Sequence, residues 1–455
     1  MTNLFKPSSA PYSRELQELW MVRILLNGSM WKQLRQQTVY DLSEYQDLPI
    51  VAWIESKFNS IRQELADSEE ESCIDISHFP LVKQLDYVDE EWDPVTEQLE
   101  NRRSVLEDLC KDKIYTSAII ENNMLSMQKA FGLTDLETRC LYWTWYLYDD
   151  SSLLNCLIQN TFDLKGGGLP LYVRLCSAAF DLPEEEVAAA FSPEGTLRKR
   201  EIITLDPDNS DLRYPQYWFQ PYNPSEVQGL FKLVPMTEQD WIHRWLTPTK
   251  DIVGALPKLD TIPGIASLVT PMLAKALEDN TQGVHVVLRA MDDGVSRIVA
   301  SHIARALDVP LYQLYQNDWG LEIEEGRRRV NMFSGRKFIV LYNELDCDVE
   351  SFEKVAGKFA RPCIWILTAD NCCPILPVFP VIKLTPHEFD IRLMVIQKVA
   401  GKLLTDGQRS LLARQQKLPI ESILLMINDL KNMKADEETV SAAVTMLTSN
   451  PLATR

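Results

Sequence analysis

Long apolar runs, cysteine pairs with metal-ligand spacing and histidine clusters are all missing from this 455-residue sequence. No stretch of about 18 apolar residues occurs, so the sequence predicts no transmembrane helix. The N-terminus lacks the basic start and apolar stretch of a secretory signal, and we therefore expect a cytoplasmic protein. The nine cysteines show no CxxC spacing and the five histidines are scattered, so we expect reduced thiols and no metal site.

The composition is that of a folded protein with an uneven charge. Apolar residues make up 45% and charged residues 24%, and the length fits two or three domains. Residues 1–250 hold 23 Lys and Arg against 40 Asp and Glu, whereas residues 251–455 hold 23 against 25. An anionic N-terminal half repels phosphate backbones, so nucleic acid is disfavoured as a partner and a protein with a basic face is favoured.

The first 130 residues carry a helical pattern. Apolar residues recur at helix-like spacing from Tyr12 to about Arg62 and again from Asp93 to Phe131. This spacing predicts a helical N-terminal domain over residues 1–130.

Residues 131–210 have the element order of a winged-helix-like domain. Thr134-x-x-Glu137 is a capping-box pattern before an apolar run, which predicts a first helix. Further helices are predicted over Pro170–Phe180 and from Leu182-Pro183-Glu184 onward, and a strand or hairpin over Leu197–Leu205.

A DNA-reading winged helix would present basic or amide side chains from its third helix. The third helix here presents Glu184, Glu185 and Glu186, and Arg198-Lys199-Arg200 in the hairpin is the local basic stretch. A structural or protein-docking winged helix is therefore favoured over DNA binding.

Strands and helices alternate in the last 200 residues. A connector rich in Pro, Asn and aromatic residues spans 211–260, with a short helix near Thr237 to Leu246, and an α/β core follows over 261–385. A helix is predicted over Ile298–Leu307, and residues 386–455 form a helical lid. The predicted parallel strands are Val284–Leu288, Pro310–Tyr315, Phe338–Tyr342, Cys363–Thr368 and Val381–Leu384.

From Phe131 onward, this order resembles the AAA+ ATPases, in particular the bacterial type with a helical and winged-helix region before the ATPase core. The resemblance implies a multidomain fold: an α-helical N-terminal region with a winged-helix-like unit, an α/β P-loop-like (AAA+) parallel-sheet core, and a C-terminal helical lid.

The expected phosphate-binding loop has lost its characteristic residues. Such a loop needs glycines for close approach, a lysine for the β- and γ-phosphates and a hydroxyl for Mg²⁺. A carboxylate pair, Asp292 and Asp293, would repel a triphosphate in this loop, and shifting the alignment by one residue leaves both in place. In the family's pattern, the first glycine, last glycine, lysine and hydroxyl correspond to Ala290, Val295, Ser296 and Arg297.

Three further family elements are altered. The family has an Asp-Glu pair at the end of its third strand. The resemblance places Asn343 at the metal-binding position of this pair and Glu344 at the catalytic position. Glu344 is equally well explained as an inert polar residue at a strand end. The sensor position after the fourth strand corresponds to Asp370, with Asn371 one residue beyond. No arginine lies between residues 361 and 392 to serve as an arginine finger.

These changes favour a catalytically inactive AAA+-like protein that binds a protein partner, such as an active AAA+ relative, with no cofactor expected. Two alternatives stay open. One is an atypical AAA+ ATPase that binds ATP and Mg²⁺ through Arg289 or Arg297 and uses Glu344. The other is a winged-helix DNA-binding regulator, which requires a basic face.

Overall fold

The computed structural model describes residues 13–27, 93–111, 113–149, 169–205, 219–221, 234–249, 251, 253–314, 323–343, 354–368 and 379–449. The chain divides into two units, residues 1–238 and residues 239–455.

Helices make up most of the first unit, as the apolar spacing predicts. Two short antiparallel strands follow them, β1 (Ile203–Leu205) and β2 (Phe219–Pro221). Residues 28–62 of the predicted helical region lie outside the described part. The described helices are α1 (Ser13–Leu26), α2 (Asp93–Leu109), α3 (Ala118–Phe131), α4 (Asp135–Asp149), α5 (Leu169–Phe180), α6 (Glu184–Phe191) and the single turn α7 (Thr196–Lys199).

Two local predictions in this unit have different outcomes. The capping box is confirmed: the Glu137 N–H donates to Thr134 Oγ1 at 3.2 Å, and the Thr134 N–H donates to Glu137 Oε2 at 2.9 Å. The strand or hairpin over Leu197–Leu205 is wrong in its first half, because residues 196–199 form a helical turn. Leu197 is the one apolar residue of that turn and is fully buried, whereas the strand begins only at Ile203.

The second unit contains a six-stranded sheet, and the predicted alternation of strands with helices around a parallel sheet is confirmed. The strand order is β3-β5-β6-β7-β4-β8, and neighbouring strands are parallel except β3 and β5. The strands are β3 (Thr247–Pro248), β4 (His285–Ala290), β5 (Leu311–Leu314), β6 (Ile339–Asn343), β7 (Cys363–Thr368) and β8 (Val381–Lys383).

Helices pack against this sheet and complete the core. The 3₁₀ helix Pro257–Thr261 and the π-helical turn Ile265–Val269 lead into α9, and α10 packs against four of the parallel strands. We refer to α12 to α15 as the C-terminal helices. The helices of this region are α8 (Glu238–Trp245), α9 (Thr270–Asp279), α10 (Asp293–Ala306), α11 (Ile323–Met332), α12 (Glu388–Ala400), α13 (Asp406–Ala413), α14 (Ile420–Asn432) and α15 (Glu437–Ser449).

One buried apolar cluster extends from the sheet into the C-terminal helices. Val286 and Leu288 of β4, Ile303 of α10 and Ile396 of α12 are all fully buried members of it. The burial removes apolar surface from water, and this is the main force that holds the elements of this unit together.

Candidate functional site

The predicted phosphate-binding loop lies between β4 and α10. β4 ends at Ala290 and α10 begins at Asp293, so the connection consists of Met291 and Asp292. The prediction that the helix begins at Ile298 is therefore wrong. The helix begins earlier because Asp292 is its N-cap and accepts a hydrogen bond from the first turn. A two-residue connection is too short to wrap around a phosphate group.

Backbone N–H groups of this connection and of the first turn of α10 already have partners within the chain. The Met291 N–H donates to Glu388 Oε2 at 3.0 Å, and the Gly294 N–H donates to Asp292 Oδ1 at 3.0 Å. The Val295 N–H donates to the Asp292 carbonyl at 3.0 Å. A phosphate-binding loop needs such groups to point at the ligand, so these three are withdrawn from that role.

The Asp292 carboxylate is buried in an ion pair with the C-terminal helices. Its Oδ2 lies 2.5 Å from Nη1 of Arg392 in α12 and accepts a hydrogen bond from the Ile420 N–H at 2.6 Å. Arg392 is fully buried, and its Nη2 also donates to the carbonyls of Gln415 and Leu418. Asp292 therefore connects the start of α10 to α12 and to the start of α14.

Burial makes these charges costly. Burial raises the pKa of Asp292 and lowers the pKa of Arg392, while the ion pair between them opposes both shifts. Burial also raises the pKa of Glu388, and the negative charge of Asp292 adds to that rise. A buried pair of this kind contributes little net stability, but the loss of one partner leaves the other charge buried and unpaired.

Arg297, the basic residue that the sequence offers for binding phosphate in this loop, is also in an ion pair. Its Nη1 lies 2.7 Å from Glu421 Oε1 at the start of α14, and both side chains are partly exposed. Close packing accompanies this pair, because a Cβ on Gly294 would lie 2.6 Å from Cγ2 of Ile420. Ser296, at the expected lysine position, is fully buried, and its Oγ has no hydrogen-bond partner among the described residues.

Some of the predicted site residues lie within the described part of the chain, and others lie outside it. Asn343 ends β6, but its side chain and the whole of Glu344, Asp370 and Asn371 lie outside the described residues. The residues that the structure brings together at the start of α10 are Ala290, Asp293, Val295, Ser296 and Arg297.

A cavity of about 290 Å³ lies beside α10. Gln313 of β5 and Arg297 line it, together with apolar side chains from α10 and α14. Thr249 and His302 also line the cavity, and Thr249 Oγ1 and His302 Nδ1 have no hydrogen-bond partner in the described part of the chain. His302 Nε2 lies 2.8 Å from Asp260 Oδ1. The cavity therefore combines apolar walls with polar side chains, among them Gln313 and Arg297.

The sequence reasoning missed Arg392 and Glu388. Both lie on one face of α12, four residues apart, and both are fully buried. The signal that could have indicated them is two charged residues four positions apart among the apolar residues of one helix face. A charged side chain on such a buried face requires a partner. The partner Asp292 lies 100 residues earlier, so spacing alone could not have identified it.

The basic stretch of the first unit is smaller than its sequence indicates. Arg200 donates to the carbonyl of Phe131 at 2.6 Å, and burial lowers the pKa of its guanidinium. The first turn of α6 carries Glu184, Glu185 and Glu186, all exposed. These features leave the face of α6 acidic where a DNA-reading helix would be basic.

Comparison with known proteins gives no match to a family model and none to a curated protein. Among the described residues, no helix is both long and apolar enough to cross a membrane. Within the same residues, no group of three or more His, Cys, Asp or Glu side chains is placed to hold a metal ion.

Proposed function

We propose that this chain is a catalytically inactive AAA+-like protein that acts as a protein-binding or scaffold subunit. The sheet supports the relationship. If the parallel strands are numbered along the chain with β4 as the first, their order across the sheet is second, third, fourth, first, fifth. The strand before the loop, β4, therefore lies between the fourth and the fifth strand. The resemblance to AAA+ ATPases implies a parallel-sheet core of this kind, with the C-terminal helices in the place of the lid.

One observation carries the proposal that the unit is inactive. The carboxylate of Asp292 occupies the N-terminus of α10, where an ATPase of this type holds phosphate, and Arg392 and the Ile420 N–H bind it there. On this proposal, the Asp292 carboxylate stands where a triphosphate would otherwise bind. Neutral Asn343 at the metal-binding position agrees with this reading, since a carboxylate holds Mg²⁺ better than an amide.

The partner that fits best is a protein with a basic face, such as an active AAA+ relative. The acidic first 250 residues and the exposed acidic turn of α6 support this choice. The same acidic charges disfavour the winged-helix DNA-binding alternative. Within the basic stretch, Arg200 already donates to the Phe131 carbonyl, so Arg198 and Lys199 are the residues left to contact DNA.

Mg²⁺-dependent phosphate release from ATP tests the proposal. The full chain and its Glu344→Gln variant should both release phosphate at the rate of a buffer blank. An atypical ATPase would instead show turnover in the wild type and lose it in Glu344→Gln, since that residue would polarise the attacking water. Turnover of that kind would overturn the scaffold proposal.

A second candidate function is nucleotide binding without the usual loop, and the cavity beside α10 favours it. Arg297, Gln313, Thr249 and His302 all line this cavity. Thermal shift with ATP, ADP and adenosine separates this candidate from the scaffold. A shift that Gln313→Ala reduces would support ligand binding in the cavity.

A further inference from the structure

The start of α10 is an anion-binding arrangement that is already filled. A helix N-terminus favours a negative charge, because its first N–H groups are unpaired and the helix dipole is positive there. Here one carboxylate accepts from the Gly294 N–H through Oδ1, and from the Ile420 N–H and Arg392 through Oδ2. A bound phosphate or carboxylate would use the same donors.

The donors come from three different elements. The Gly294 N–H belongs to α10, the Arg392 guanidinium to α12 and the Ile420 N–H to the first residue of α14. The anion is therefore the common partner that joins two C-terminal helices to the β4–α10 connection. Glu388 of α12 makes a second contact with this connection, because its Oε2 accepts a hydrogen bond from the Met291 N–H.

We propose that Asp292 is an internal ligand that holds α12 and α14 against the start of α10 without any bound nucleotide or anion. We call Asp292, Arg392 and the Ile420 N–H the Asp292 latch. The proposal does not depend on the proposed function, because it concerns the position of the C-terminal helices in any functional context. It predicts that these helices stay in one arrangement whether nucleotide is present or absent.

An internal ligand has a physical advantage over one from solution. Its effective concentration is set by the short chain that carries it, and this exceeds the concentration of free anions. Opening the latch would also leave Arg392, which is fully buried, without the carboxylate that accepts its hydrogen bond. A free anion therefore has to compete with a tethered carboxylate before it can reach these donors.

Hydrogen exchange of the full chain tests the latch. In Asp292→Ala, the amides at the starts of α12 and α14 should exchange about tenfold faster or more, while those of β6 stay unchanged. Asp390→Ala is the matched control, because Asp390 is an exposed acid on the first turn of the same helix α12. Exchange rates in Asp292→Ala equal to those of the wild type would overturn the proposal.

Rescue by anions tests whether Asp292 acts as a ligand. Acetate, or inorganic phosphate, at tens of millimolar should restore slow exchange in Asp292→Ala, whereas chloride at equal ionic strength should not. Failure of both anions would overturn the assignment of an internal ligand.

Two further measurements keep the test decisive if Asp292→Ala does not fold. Asp292→Asn keeps an N-cap oxygen for α10 but removes the charge, and this variant should still show faster exchange at α12 and α14, because the buried Arg392 loses its charged hydrogen-bond partner. In the wild type, phosphate or ATP should leave exchange at these helices unchanged. Slow exchange in Asp292→Asn, or a response of the wild type to phosphate, would contradict the latch.

Discussion

His285 in β4 is a buried residue whose two ring nitrogens both have partners. Nε2 lies 2.7 Å from the Ala356 carbonyl, and the Trp365 indole N–H donates to Nδ1 at 3.0 Å. Because Nδ1 accepts, the proton of the neutral ring is on Nε2 and donates to Ala356. A second proton on Nδ1 would face the Trp365 N–H, so the site holds the neutral imidazole.

This geometry predicts a dependence of stability on pH. Burial lowers the pKa of His285 to about 4. Between the unfolded value of about 6.5 and this folded value, only the unfolded chain binds the proton. The contribution of His285 is therefore complete above pH 6.5 and falls by about 3 kcal/mol as the pH is lowered to 4.

Denaturant titrations at several pH values check this prediction. The wild type should lose more stability between pH 7 and pH 5 than His285→Phe, which has nothing to titrate there. His243→Gln is the control, because it replaces an exposed histidine that does not contact His285. Parallel slopes for the wild type and His285→Phe would contradict a neutral buried His285.

Gly326 in α11 is a residue that has no room for a side chain. A Cβ there would collide with the hydroxyl of Tyr342 and lie 3.2 Å from its Cζ. Alanine in a helix normally gains about 1 kcal/mol over glycine, but overpacking costs about 1–3 kcal/mol. We expect Gly326→Ala to lower the free energy of unfolding by up to about 2 kcal/mol. Combining it with Tyr342→Phe should recover most of this loss in a denaturation series, and additive losses would show that the hydroxyl is not the cause.

At the scale of single elements, the capping box of α4 gives a local prediction. Thr134→Ala should cost about 1 kcal/mol, because the Glu137 N–H loses its acceptor. Thr134→Ser keeps the oxygen and should stay within a few tenths of a kcal/mol of the wild type. Chemical denaturation compares the two, with Thr405→Ala in the capping box of α13 as a second example. Equal stability of Thr134→Ala and Thr134→Ser would contradict the cap.

The elements that were predicted correctly are those whose signal lies in residues close together in the sequence. Thr134 and Glu137 are three positions apart, and β7 is an unbroken apolar run whose predicted bounds, Cys363–Thr368, are those observed. β3 was missed because Thr247–Pro248 has no apolar pattern and is defined only by its pairing with β5.

The early start of α10 was missed for a related reason. The sequence shows Asp292 and Asp293 as two charges in a degraded loop. Only the folded chain shows that Asp292 caps the helix and that Arg392, 100 residues later, neutralises it. Local spacing predicts strands and caps, whereas pairing across such a distance requires the tertiary structure.

At the scale of the whole molecule, the second unit contains a mostly parallel sheet, and the chain's own groups close the connection after β4. The apolar strands are buried in one cluster, and the polar groups at the end of β4 bind one another. We propose that this position does not accept a triphosphate.

Thermal unfolding of the full chain in Mg²⁺, with and without ATP, measures whether a triphosphate binds there. A ligand at about 100 times its dissociation constant stabilises the folded state by roughly 2.7 kcal/mol, which is readily measured. The closed connection predicts the same unfolding temperature with millimolar ATP and with Mg²⁺ alone. A rise in that temperature that requires both Mg²⁺ and the triphosphate would contradict the account, because it would mean that phosphate displaces Asp292 from the start of α10.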